Sequence, residues 1–125
     1  MEQKAYAKDR LTEQIIGCIL RVHWILGPGF LEDIYRRALM IELELSGIES
    51  STENRIEVVY KDKEVGTHRL DILVEDQVVI ELKAVEQLTA SHYAQVRSYL
   101  RATGLHKGLL VNFSKQKVDF RRIVV

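Results

Sequence analysis

RLDILVEDQVVIELKAVE, Arg69 to Glu86, is the stretch on which the fold turns. Two short apolar runs, RLDILV and QVVIEL, are rich in β-branched residues and separated by a polar EDQ turn, the pattern of an antiparallel β-hairpin. Yet Asp71, Glu81 and Lys83 sit inside these runs. An ionised group taken out of water costs on the order of 2–7 kcal/mol or more unless a partner or a metal compensates it. If Glu75, Asp76 and Gln77 form a three-residue loop, Val74 lies opposite Val78, Ile72 opposite Ile80, and Asp71 opposite Glu81. Leu70, Ile72 and Val74 then stack with Val78, Ile80 and Leu82 as one apolar layer, and the other face sets Asp71 beside Glu81, with Lys83 two residues further along. Directly opposed β-carbons lie ~4.5–5.5 Å apart. Two carboxylates that close repel each other, so one is protonated or both bind a cation.

A hard divalent ion such as magnesium prefers oxygen ligands and keeps water or phosphate oxygens in its remaining positions. Held by two carboxylates, it would polarise a phosphoryl oxygen and lower the pKa of a bound water. The adjacent Lys83 ammonium could orient that water or offset charge developing on phosphorus. The expected reaction is phosphodiester hydrolysis.

Working outward, Leu11, Ile15, Ile19, Val22 and Leu26 form one stripe of an amphipathic helix, which LGPGF breaks. Leu31, Ile34, Tyr35, Ala38, Ile41 or Glu42, and Leu45 predict the buried stripe of a second helix, closed near Gly47. From Arg55 the period changes to that of strands: IEVVY, then GTHRLDILV, then QVVIEL. Thr89 is a good N-cap for a third helix that buries Val96 and Leu100 and ends at Gly104. GLLVNF is a further strand, and FRRIVV is one more or a docked tail. The expected class is α/β, an α+β mixed sheet with helices packed on it, in the order α-α-β-β-β-α-β.

At 125 residues the chain is expected to be a single domain over 1–125, with residues 1–10 a flexible or helical N-terminal extension. Eighteen basic residues balance eighteen acidic ones, so no global field draws the protein to nucleic acid or anionic membrane. A nucleic-acid site must be a local patch. The candidates are Arg36 with Arg37, and KQKVDFRR from Lys115 to Arg122, each of which also reads as a solvated face. The lone Cys18 excludes an internal disulfide and a multi-cysteine zinc site, and fits a small buried hydrophobe in a reducing, cytoplasmic setting. The start MEQKAYAKDR lacks an apolar h-region, and no apolar run approaches the ~18 residues of a membrane span.

With those residues in place, the sequence resembles a known family. Asp71 followed by Glu81-Leu82-Lys83 on the next strand resembles the D and (D/E)xK elements of the PD-(D/E)xK nuclease superfamily, although Leu70 stands where a proline is usual. Gly29-Phe30-Leu31-Glu32-Asp33-Ile34-Tyr35 is similar to the GxxExxY signature of the GxxExxY family, and the likeness runs from about Leu11 to Val125. The resemblance implies a restriction-endonuclease-like core, Mg2+ or Mn2+ as cofactor, and nucleic acid as partner. It implies Asp71 and Glu81 as metal ligands, Leu82 lending its backbone carbonyl, and Lys83 as the catalytic lysine. Glu32 would complete the ligand set or hold a metal-bound water. Gln95 and Tyr99 resemble a QxxxY element in which Gln95 positions the lysine and Tyr99 contacts phosphate. Tyr35 would lean against Glu32 as a supporting contact, and His23 would support the site or be satisfied by a backbone carbonyl. The rival readings are a catalytically inactive module of the same fold, binding nucleic acid or a protein partner, and a plain α/β domain in which the charged trio is a surface ion cluster. A homodimer is expected from the small size of the domain.

Overall fold

The computed structural model describes residues 9–125. Residues 1–8 of the expected N-terminal extension lie outside that range; Asp9 caps the first helix, accepting the Thr12 N–H at 2.8 Å. Helices α1 (Arg10–Leu26) and α2 (Glu32–Leu45) are followed by strands β1 (Ser50–Tyr60), β2 (Lys63–Val74) and β3 (Val78–Lys83). Helix α3 (Ala90–Thr103) then crosses to β4 (Lys107–Asn112) and β5 (Asp119–Val124). The predicted order is present, and FRRIVV supplies a fifth strand rather than a docked tail. The sheet runs β1-β2-β3-β4-β5, antiparallel except for the β3–β4 pair that α3 connects.

Helices cover both faces. Ile72, Ile80 and Leu82 point to a core shared with Ile15 and Ile19 of α1 and Tyr35, Leu39 and Leu43 of α2, while Val79 and Leu110 point to Val96, Tyr99 and Leu100 of α3. Gly108 on β4 is the closest approach of α3. A β-carbon there would stand 2.7 Å from Val96 Cγ1, so a side chain would push the helix off the sheet.

Three expectations change. Strand β1 begins at Ser50 rather than Arg55, because polar Ser51, Thr52 and Asn54 pair with Leu73, Ile72 and Leu70 along an edge strand whose outer side tolerates them. Leu70 leaves the predicted apolar layer and packs with Val79 and α3, since the ribbon turns over between Leu70 and Ile72, opposite Glu53 with its left-handed φ of 56°. Third, the buried stripe of α2 is Tyr35, Leu39 and Leu43. Leu31, Ile34, Ile41 and Leu45, expected inside, are 77%, 41%, 57% and 76% exposed.

The turn between α1 and α2 is built around Tyr35. Its ring is fully buried and stacks on Phe113 at 4.4 Å between centroids, while its hydroxyl donates to the Gly27 carbonyl at 2.6 Å and accepts the Phe30 N–H at 3.1 Å. Gly27 and Gly29, with φ of 70° and 110°, provide the positive angles that this turn requires. Tyr35→Phe is expected to lower stability by about 1–2 kcal/mol, as both backbone groups lose their partner. Urea melts would check this; an unchanged midpoint would mean that the turn holds without the hydroxyl.

Candidate active site

The β2–β3 hairpin has the register read from its loop: Val74 opposite Val78, Leu73 opposite Val79, Ile72 opposite Ile80. Backbone pairing stops there, and the Asp71 side chain continues it by accepting the Leu82 N–H on Oδ2 at 2.8 Å. The Asp71 main-chain carbonyl accepts the Thr52 hydroxyl, also at 2.8 Å. Asp71 is thus fixed at both ends where the two strands part.

Glu81 lies in β3 beside Leu110 of β4 and is 5% exposed. Its carboxyl group is within hydrogen-bond reach of that of Asp71. Burial, then the negative charge of Asp71, push its pKa up to about 8, with Lys83 opposing. Burial also raises Asp71, against the Leu82 N–H and the Lys83 charge. Lys83 Nζ stands 3.5 Å from Glu81 Oε2, whereas Glu81 Oε1 is buried with no hydrogen-bond partner among the described residues. Two touching carboxyl groups, one with an orphaned oxygen, form a donor set that fits a hard divalent cation completed by water or phosphate. Asp71, Glu81 and the Leu82 carbonyl would be the residues to hold it.

Glu32, the first residue of α2, lines a cleft of about 220 Å³ with Asp33, Arg36, Glu53, Asp71 and Leu82. Glu32 thus shares a cleft with Asp71; among the described residues no three acidic, histidine or cysteine side chains come together as a metal cluster.

Gln95 and Tyr99 share one face of α3, and the Gln95 side chain bonds the Tyr99 hydroxyl. Tyr99 packs on His68 at 4.7 Å between ring centroids. Burial, then the charges of Glu81 and Asp71, raise its pKa to about 12, so it stays a neutral hydroxyl beside the carboxylates. Through its hydroxyl Tyr35 is bound to the turn, and by fixing that turn it sets where α2, and so Glu32, begins. His23 Nε2 bonds the Lys115 carbonyl at 2.8 Å and its ring stacks on Phe113, the satisfied alternative.

Two residues outside the motifs belong to the site. Arg36 bonds the Thr52 hydroxyl at 3.0 Å, pairs with Glu53 at 3.2 Å and with Asp33, and brings a cation into the cleft with Asp71. Sequence grouped it with Arg37 as a surface patch. Asn112, fully buried, bonds both backbone groups of Val85 and so fixes the chain just after Lys83. Its only sequence signal is an amide inside the apolar run LLVNF. In the second predicted basic patch, Arg121 pairs with Asp119 and Arg122 with Glu13.

The comparisons agree with this geometry. The sequence model of the PD-(D/E)XK nuclease superfamily matches residues 9–123. The crystal structure of SSO0001 superposes with a TM-score of 0.60 at 20% identity, over 97% of this chain and 70% of that one. An alkaline exonuclease, LHK-Exo, from Laribacter hongkongensis superposes with a TM-score of 0.55 at 14% identity, over 95% and 71%. Both likenesses are of the fold. A search of curated proteins finds no match. No described helix is long and apolar enough to cross a membrane. Matched by that model over nearly the whole chain, this protein belongs to the PD-(D/E)XK nuclease superfamily and has the restriction-endonuclease-like fold.

Proposed function

We propose that the protein is a metal-dependent nuclease that hydrolyses phosphodiester bonds in DNA or RNA, working as one unit over residues 1–125 in the reducing cytoplasm, where Cys18 stays a free buried thiol. The observation that carries this reading is the orphaned Oε1 of Glu81, whose carboxyl group lies within hydrogen-bond reach of Asp71, with Lys83 beside it. Touching buried carboxyl groups cost stability, and an idle fold gains nothing by keeping them. Bound Mg2+ or Mn2+ would supply charge stabilisation and a more acidic water. The chain's own part is distinct: Asp71 and Glu81 present oxygens, Lys83 places an ammonium where negative charge grows, and Glu32 and Arg36 line the approach. Tyr99, kept neutral, offers a hydroxyl toward phosphate. The test is incubation of the purified protein with single- and double-stranded DNA and RNA, with and without magnesium or manganese. Metal-dependent cleavage of at least one substrate is expected; none, with nucleic acid bound intact, favours the inactive module.

Asp71→Asn keeps an oxygen for the Leu82 N–H and removes one charge from the pair. The metal-free variant should melt no lower than the parent, while losing the stabilisation that saturating metal gives, about 2.7 kcal/mol at one hundred times Kd. A metal-free loss above ~1 kcal/mol would mark the Asp71 charge as a structural partner instead.

A further inference from the structure

The stripe of α2 that the fold leaves outside is ordered. Leu31, Ile34, Ala38, Ile41 and Leu45 recur at spacings of three, four, three and four, which is the a/d seam of a coiled coil. Four of the five are exposed by 41–77%, and Ala38 is partly buried. At 100° per residue this seam lies on the far side of α2 from Arg36 and well away from Glu32, so a helix seated on it leaves the cleft open. Isolated two-heptad helices are too short to pair in water, but α2 is already held by the fold, so pairing need not pay for its formation.

We propose that the occupant is a second copy of this chain, its α2 lying antiparallel to the first along the Leu31–Leu45 stripe. Charge selects this arrangement. With Leu31 at an a position, Arg37 and Glu44 fall at the two g positions beside the seam, both exposed. Packing a against d in antiparallel sense, Ala38 against Ile41 and Ile34 against Leu45, brings g against g, so Arg37 of each copy meets Glu44 of the other. The two-fold axis makes this contact twice. Among the described residues Arg37 is bridged to Asp33 alone, one turn back at 3.0 Å through Nε, which leaves its fork room to bind a second carboxylate. Ile25 of α1, 68% exposed, follows Arg21 by one turn, and Arg21 bonds Glu42 of α2, so the apolar area continues onto the neighbouring helix. The inference does not depend on the nuclease reading.

Sedimentation velocity on the full chain across about 1–200 μM tests it, with circular dichroism confirming that each variant is folded. The wild type is expected to dimerise, and Ile41→Glu, at a site open in the monomer, should weaken the dimer by more than ~10²-fold, because the loss is felt twice. Arg37→Glu and Glu44→Arg should each weaken self-association about threefold to tenfold and, mixed in equal amounts, form a heterodimer of wild-type strength. A monomer at every concentration, or a dimer indifferent to Ile41→Glu, overturns the proposal; a dimer lost with Ile41→Glu but not restored by the mixture overturns the antiparallel pairing.

Discussion

Lys83→Ala is expected to cut phosphodiester cleavage by at least ~10²-fold, the usual scale for a positioned electrostatic or acid–base group, while metal affinity holds or rises. The two effects separate because of where the ammonium sits. At 3.5 Å from Glu81 Oε2 it already neutralises part of the charge that a cation would use. Removing it frees the carboxylates for metal but leaves charge at the phosphoryl group without its protein cation. A structural lysine behaves differently: its loss would lower stability and affinity together and leave the rate at saturating metal unchanged. Calorimetry and single-turnover cleavage on one preparation distinguish the two.

The second large effect belongs to Glu81. In the folded protein its carboxyl holds a proton up to about pH 8, whereas its ordinary value is 4.5. Between those values the folded state binds more protons than the unfolded one, so the contribution of Glu81 to metal-free stability is greatest below about pH 4.5 and falls as pH rises to about 8. It is level above that. The slope is at most ~1.4 kcal/mol per pH unit for one proton, and the raised Asp71 acts in the same sense. Glu81→Gln should flatten this dependence, melt higher than the parent near pH 8 without metal, and abolish both metal binding and cleavage. Urea melts in chelator from pH 5 to 9 check it. A parent whose metal-free stability is flat or rising over that range would mean that Glu81 is ionised and satisfied by a partner.

How much of this was legible depended on whether one strand or several carried the information. The hairpin register followed from the three-residue EDQ loop, and it brought Asp71 to Glu81 because alternation along two short strands leaves little freedom. Helix α3 was bounded correctly by Thr89 and Gly104, whose roles are local. Helix α2 misled because it has two apolar stripes, and composition does not say which one meets the sheet; Tyr35, Leu39 and Leu43 win because Phe113 and the β3 strand lie on that side. Arg36 is legible in the sequence only as part of a candidate nucleic-acid patch with Arg37, and Asn112 not as a site residue at all, because the partners that place them are distant in the chain, Thr52 and Glu53 for one and Val85 for the other. The Gly29-to-Tyr35 segment is legible as a motif, but its physics is not: the Tyr35 hydroxyl pins the turn, and the pinned turn delivers Glu32 to the cleft.

On the proposed reading, Asp71, Glu81 and Lys83 form one working metal-dependent site. It is tested most directly by single-turnover cleavage of DNA and RNA, single- and double-stranded, by the wild type and Lys83→Ala side by side at saturating magnesium or manganese. Cleavage by the wild type is expected, abolished by chelator and reduced by at least ~10²-fold in Lys83→Ala despite undiminished metal binding. Wild-type protein that binds no metal and cleaves nothing, or cleavage that Lys83→Ala leaves intact, would contradict it.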